Sequence, residues 1–210
     1  MFQALHATSD TLRIFLQTQI DADPFFGAPG HPWRDRNMRV RLLTPAEMVQ
    51  NQGQEGVSLW LYRVVRDDER LNDPARRISP TQLRPPPLPM RLHYLMTPLT
   101  RRQNQGDPDT EQYVLGKILQ LFHSQPMFRG ADLQGQFAGT GTELFVRLET
   151  LSLEEITRVW EGLEGSYQLS LSYEVSLVDI ESALEPESMT PVSVVLPEYG
   201  LASLVTGAAP

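Results

Sequence analysis

Apolar residues recur along this chain at two alternating periods, and the switches between them mark out the elements. Phe2, Leu5, Leu12, Phe15, Leu16 and Ile20 fall at helical spacing with Thr8, Ser9, Asp10, Arg13 and Gln17 between them, which predicts an amphipathic helix over 2–20. Asp21-Ala-Asp-Pro24 ends it, because the residue before a proline is driven out of the helical region. Residues 21–37 read as a long Pro/Gly loop whose Phe25, Phe26 and Trp33 either pack back on the body or touch a neighbouring copy. A strand follows over Met38–Leu43, then a helix start in which Thr44 caps, Pro45 opens and Glu47 reaches back. Val57–Arg66 carries apolar groups on both parities (Val57, Leu59 and Leu61 against Trp60, Tyr62 and Val64), the pattern of a central strand covered on both sides.

The charged stretch 67–84 has little periodicity and reads as an exposed loop or a weak hairpin. Pro85-Pro86-Pro87 imposes a stiff extended entry into a strand over Met90–Thr97, with Leu92 and Tyr94 on one face and His93 and Leu95 on the other. Asp107-Pro108 supplies a cap and first-turn proline for a helix through His123, striped by Val114, Leu115, Ile118, Leu119 and Phe122. Gly116 inside that helix costs about 1 kcal/mol relative to Ala, which predicts close approach of another backbone there. A Gly-rich connection (130–142) leads to a strand at Glu143–Leu148. Ser152 with Glu155 forms a capping box for a short helix whose face is Ile156, Val159, Trp160 and Leu163. The clearest strand is Gln168–Ile180, alternating Leu169, Leu171, Tyr173, Val175 and Leu177 with Ser170, Ser172, Glu174 and Ser176, so its polar face is solvated or meets a partner. The fold class expected is α+β, a mixed β-sheet flanked by helices. A globular domain spans 1–182, and an extended C-terminal arm spans 183–210, where prolines punctuate short apolar stretches.

Composition narrows the function. The 40% hydrophobic content is that of a globular chain long enough to bury a core without staples. With no cysteine, disulfides and thiolate metal sites are excluded. The start MFQALHATSD has no basic segment followed by an apolar one and does not predict a signal peptide. Net charge is −8, unevenly spread: residues 1–106 hold fourteen Arg, no Lys and ten acidic residues, whereas 107–210 hold four basic and sixteen acidic ones. Two readings of this asymmetry stand side by side: chance together with acidic helix starts, and head-to-tail contact in which a basic face of one copy meets an acidic face of the next. An acidic chain without a concentrated basic surface is not expected to bind nucleic acid, and nothing in the pattern supports membrane contact.

The search for chemistry is mostly negative. His6, His31, His93 and His123 are scattered with no HxH or HxxxH pair, so metal ligation requires carboxylates from distant segments, and no metal or other cofactor is expected. His93 is expected to satisfy a hydrogen bond in the sheet, and His123 to favour a helix C-terminus. The pairs Asp21/Asp23 and Asp107/Asp109 flank prolines at helix boundaries, where capping explains them better than acid–base work. No nucleophile elbow, SxxK or phosphate loop is present, which argues against an enzyme. Trp33, beside His31 and Arg34, is the tryptophan best placed for an interface, since Trp and Arg are enriched in binding hot spots. The candidate interface residues are Trp33, Arg34, Arg39 and Arg41 on the basic side, with Val192, Val194, Leu196 and Tyr199 in the arm.

The order of segments carries more than any one of them. Pro86, Pro87, Leu88, Leu92, His93, Tyr94 and Leu95, then Leu115, Gly116 and Leu119, then Leu151–Ile156 (LSLEEI) with Trp160, then Tyr167, Leu169, Ser170 and Tyr173, together resemble the tail-terminator, or cap, family of extracellular contractile injection systems and related phage-tail-like particles. The resemblance runs from about Leu5 to Ser182. It implies a six-membered ring at the end of the tail distal to the baseplate, homo-oligomeric and in contact with sheath and inner-tube proteins. It also implies assembly in the cytoplasm, in a particle then released or kept. Two other readings stay open: a peripheral adaptor tethering a particle to a membrane or host component, and a tail completion protein of a tailed phage.

Overall fold

A computed structural model describes residues 2–50, 54–100, 106–163 and 165–189. The chain divides into two compact units, Met1–Asp73 with Pro87–Ala183, and Pro74–Pro86 with the segment from Leu184 onward. In chain order the elements are α1 (Ala4–Asp21), α2 (Pro32–Asp35), β1 (Arg39–Arg41), α3 (Pro45–Gln50), β2 (Gly56–Arg66), β3 (Arg76–Ser79), β4 (Gln82–Arg84), β5 (Leu88–Leu99), α4 (Pro108–Ser124), β6 (Met127–Arg129), β7 (Glu143–Leu148), α5 (Leu153–Glu161), β8 (Leu171–Ile180) and β9 (Glu187–Ser188).

The larger unit is built on a six-stranded sheet in the order β1-β2-β5-β8-β7-β6. Only β1 and β2 run parallel; the other pairings are antiparallel, so the sheet is mixed. The parallel pair forces a close approach: Gly56 lies opposite Arg39 at φ +136°, and a Cβ there would stand 2.0 Å from the Arg39 carbonyl oxygen. Only glycine fits. The smaller unit is a three-stranded antiparallel sheet, β3-β4-β9, in which the stretch read as loop or weak hairpin forms a hairpin.

On the inner face of the large sheet, Leu12, Leu16 and Ile20 of α1 and Val114, Ile118 and Phe122 of α4 pack with Leu92, Tyr94 and Met96 of β5 in one cluster with Val57, Leu59, Tyr173 and Val175. Fully burying one such side chain is worth about 1.5–3 kcal/mol, so this layer dominates stability. The buried stripe of α1 differs from the apolar pattern: it includes Ala4, Ala7, Thr8 and Thr11, while Phe2 is 88% exposed. Small residues let the helix lie close, and Thr8 and Thr11 turn their hydroxyls back onto the Ala4 and Ala7 carbonyls. On α4 the buried stripe runs through Leu121 as Leu119 turns outward. Gly116 has nothing within 4 Å of where a Cβ would stand, so no close helix approach explains it.

The outer face carries a second, smaller cluster in which Ile156 and Trp160 of α5 cover Leu95, with Trp60, Tyr62, Val159 and Leu163 around them. β2 thus feeds both layers, as its two-sided pattern requires. The predicted starts are present: Asp107 accepts from the Thr110 amide, the Ser152/Glu155 box closes in both directions, and Thr44 and Glu47 bond reciprocally. No helix among the described residues is long and apolar enough to cross a membrane.

Candidate functional site

Beyond the reach of α5, the outer face becomes polar, and strand register sets which side chains meet. Arg63 of β2 lies opposite His93 of β5, His93 opposite Glu174 of β8, and Glu174 opposite Arg147 of β7. A bulge between Leu61 and Arg63 inserts Tyr62 as an extra residue, so that Arg63 leaves the parity of Leu59 and Leu61 and comes opposite His93. The result is a row of charge across the four central strands, Arg63–His93–Glu174–Arg147, closed by Glu149 just after β7.

The row is tightly bonded. His93 Nδ1 lies 2.8 Å from Glu149 Oε1. The other Glu149 oxygen accepts from Ser172 Oγ at 2.6 Å and from the Tyr62 hydroxyl at 3.4 Å. Arg147 donates to Glu174 Oε1 at 3.0 Å. Burial pushes the Glu149 carboxyl up, but the hydrogen bonds from His93, Ser172 and Tyr62 outweigh it and hold the group below the usual carboxylate range. Tyr62 moves the other way, its phenol raised chiefly by burial. Next to the row, Arg91 donates to Asp67 at 2.8 Å and pairs with Glu69 at 3.0 Å. That bond from Arg91 holds Asp67 low against the upward push of its burial. Arg63, Arg66, Arg91, His93 and Glu174 line a depression of ≈ 610 Å³.

His93 does satisfy a hydrogen bond in the sheet, as its sequence position suggested. Its partner Glu149, and the buried Glu174 and Ser172, were not legible as a set. The polar parity of β8 is the one that was read as solvated or partner-facing, yet Ser170, Ser172 and Glu174 are all less than 9% exposed. The overlooked signal is that Glu174 is the only charge on that parity between Ser170 and Ser176.

The candidate interface residues divide. Trp33 is only 2% exposed; its ring packs against Phe26 and its Nε1 donates to Asp21 at 2.7 Å, so the indole is engaged within the chain. Arg34 is exposed and donates to the Gly27 carbonyl, and Arg39 pairs with Asp21 at 3.0 Å. These three line a second depression of ≈ 320 Å³, and Arg41 stands apart from it on β1. Phe25 (50% exposed) and Tyr113 (55% exposed) stack edge to face with centroids 5.1 Å apart, an exposed aromatic pair that sequence periodicity did not single out. Val192, Val194, Leu196 and Tyr199 lie outside the described residues.

Comparison with known proteins agrees with this architecture. Residues 7–193 match the model of the Pvc16 N-terminal domain family. The fold is similar to the sheath/tube terminator of an extracellular contractile injection system (PVC) in its extended state, with a TM-score of 0.58 and 19% identity over 98% of this chain and 65% of that one. It is also similar to the tube terminating cap of the anti-feeding prophage, with a TM-score of 0.56 and 18% identity over 94% of this chain and 60% of that one. The chain therefore spans somewhat under two thirds of the length of these proteins. No curated protein matches it.

Proposed function

As the chain belongs to the Pvc16 N-terminal domain family, we propose that it is a structural cap, terminating the tube and sheath of a contractile injection system at the end distal to the baseplate. The observation that carries this reading is a likeness running along 98% of the chain to a protein that is itself a sheath/tube terminator. The role is mechanical and non-enzymatic. Stacked rings of tube and sheath present, at their growing end, the same docking surface after every addition. A terminator must complement that surface on one side and fail to reproduce it on the other.

We place the protein in a ring of six copies, assembled in the cytoplasm on the particle it closes. Head-to-tail contacts of this kind are heterologous and close into a ring when the rotation permits. The excess of Arg in residues 1–106 and of acid in 107–210 is the sequence feature that motivates such contacts. Contacts that are individually weak gain by sixfold repetition. Arg34 and Arg39 are assigned to the contact between copies, and the apolar stretch holding Val192, Val194, Leu196 and Tyr199 to sheath docking by strand addition.

Electron microscopy of particles assembled with and without the protein tests the cap. Its loss is expected to give particles of uncontrolled length with open ends distal to the baseplate; unchanged lengths and closed ends contradict the reading. Removal of residues 190–210, which spares β9, is expected to abolish pull-down of sheath protein while leaving the fold intact.

A further inference from the structure

The polar row brings together three groups that share no sequence motif. One ligand atom from each of His93, Glu149 and Glu174 lies within 4.8 Å of the others. His93 is 5% and Glu174 8% exposed. A second, independent observation concerns the far side of the imidazole. His93 Nε2 is buried without a hydrogen-bond partner among the described residues, while Nδ1 is engaged by Glu149. A carboxylate on Nδ1 fixes the proton there and leaves the buried Nε2 with a free lone pair. That is the tautomer in which a histidine coordinates a metal, with the carboxylate–histidine pairing that commonly orients such ligands. Leaving the nitrogen unsatisfied would be costly.

We propose that the outer face of the sheet carries a site for a divalent transition metal ion of the zinc class, with His93 and Glu174 as ligands, Glu149 as the acid that orients the imidazole, and water completing the coordination. A nitrogen donor beside carboxylates suits zinc or its neighbours better than magnesium or calcium, which take oxygen sets. The two carboxylates supply the two negative charges that a dication needs. Arg63, opposite His93, and Arg66, paired with Asp68, also line the depression, and two further arginines reach Glu174 itself, unequally. Arg91 stands 3.9 Å from Glu174 and is already compensated by Asp67 and Glu69. Arg147, bonded to Glu174, is 63% exposed and is free to swing into solvent when an ion takes its place. Ser172 and Tyr62 hold the remaining oxygen of Glu149, so the orienting acid is itself fixed. The depression lined by His93 and Glu174 gives the ion a path from solvent. Once bound, the ion would tie β5 to β8 and to the turn after β7, stiffening the sheet from the side opposite the main core.

The test is titration of the purified, chelator-treated full chain with zinc chloride by calorimetry, with cobalt chloride as a spectroscopic probe and magnesium chloride as a control. One zinc or cobalt ion per chain is expected, with no heat from magnesium and a rise in the thermal midpoint. H93Q and E174Q are each expected to weaken zinc binding at least tenfold, and E149Q severalfold. R147A, which removes the competing cation at an exposed position, is expected to tighten binding severalfold. Should H93Q fail to fold, E174Q and R147A decide the matter. Absence of stoichiometric uptake overturns the site, as does uptake that E174Q leaves unchanged. Either result leaves the cap reading intact, since closure of the particle end does not depend on a metal.

Discussion

The two faces of the large sheet are made by the same strands and held by different physics. On the inner face, α1 and α4 bury an apolar layer in which Leu12, Leu16, Leu92 and Met96 are wholly inaccessible. On the outer face, α5 covers one end with Leu95, Ile156 and Trp160, and the other end is a network of charges and hydroxyls between Arg63 and Arg147. The inner layer is non-directional, and a change there costs in proportion to the area and volume it removes. The outer network depends on every donor finding its acceptor, because a buried polar group left without a partner costs more than a satisfied one contributes.

Substitutions separate the faces by size of effect. L92A on the inner face is expected to cost about 2–5 kcal/mol, through lost burial and the cavity left behind, read as a lowered urea midpoint. E149Q on the outer face replaces the acceptor of three hydrogen bonds and is expected to cost about 1–3 kcal/mol. A loss from E149Q as large as that from L92A would mean that the network, not the apolar layer, carries the fold. G116A, on the solvent side of α4 and in neither layer, is expected to stabilise by about 1 kcal/mol, since no neighbour obstructs the methyl group. R158A, which breaks an exposed i,i+4 pair with Glu154 on α5, is expected to change stability by no more than ~0.5 kcal/mol.

Acid sharpens the contrast further. The carboxyls of Glu149 and Asp67 are held below their ordinary values of 4.5 and 3.8 in the folded chain, so the unfolded chain takes up protons more readily. Their contribution is complete above those ordinary values and is lost as pH falls through and below them. Stability measured from pH 7 down to pH 3 should therefore decline, and E149Q should flatten part of that decline while L92A shifts the whole curve without changing its slope.

The same division explains what the chain reveals when read as a string. The apolar parts of both faces were legible: period 2 on β5 and β8, period 3.6 on α4, and caps at Asp107 for α4 and Ser152 for α5 place the elements within a few residues. Thr8 and Thr11 escaped that reading, because a back-bonded threonine packs like a small apolar residue yet scores as polar. The outer row was not legible, because its partners sit on separate strands and meet only through register. Two bulges, at Tyr62 on β2 and at Ser176–Leu177 on β8 opposite Arg91, shift that register by amounts no alternation pattern encodes. The packing of Trp33 was hidden for a related reason. A tryptophan in a Pro/Gly loop looks available, but the loop folds through α2 and hands the indole to Asp21.

The central claim is one of position, that this chain occupies the end of a contractile particle away from the baseplate. Immunogold labelling of a tagged copy in assembled particles measures position directly. The account predicts label at that end alone; label along the sheath or at the baseplate would contradict it.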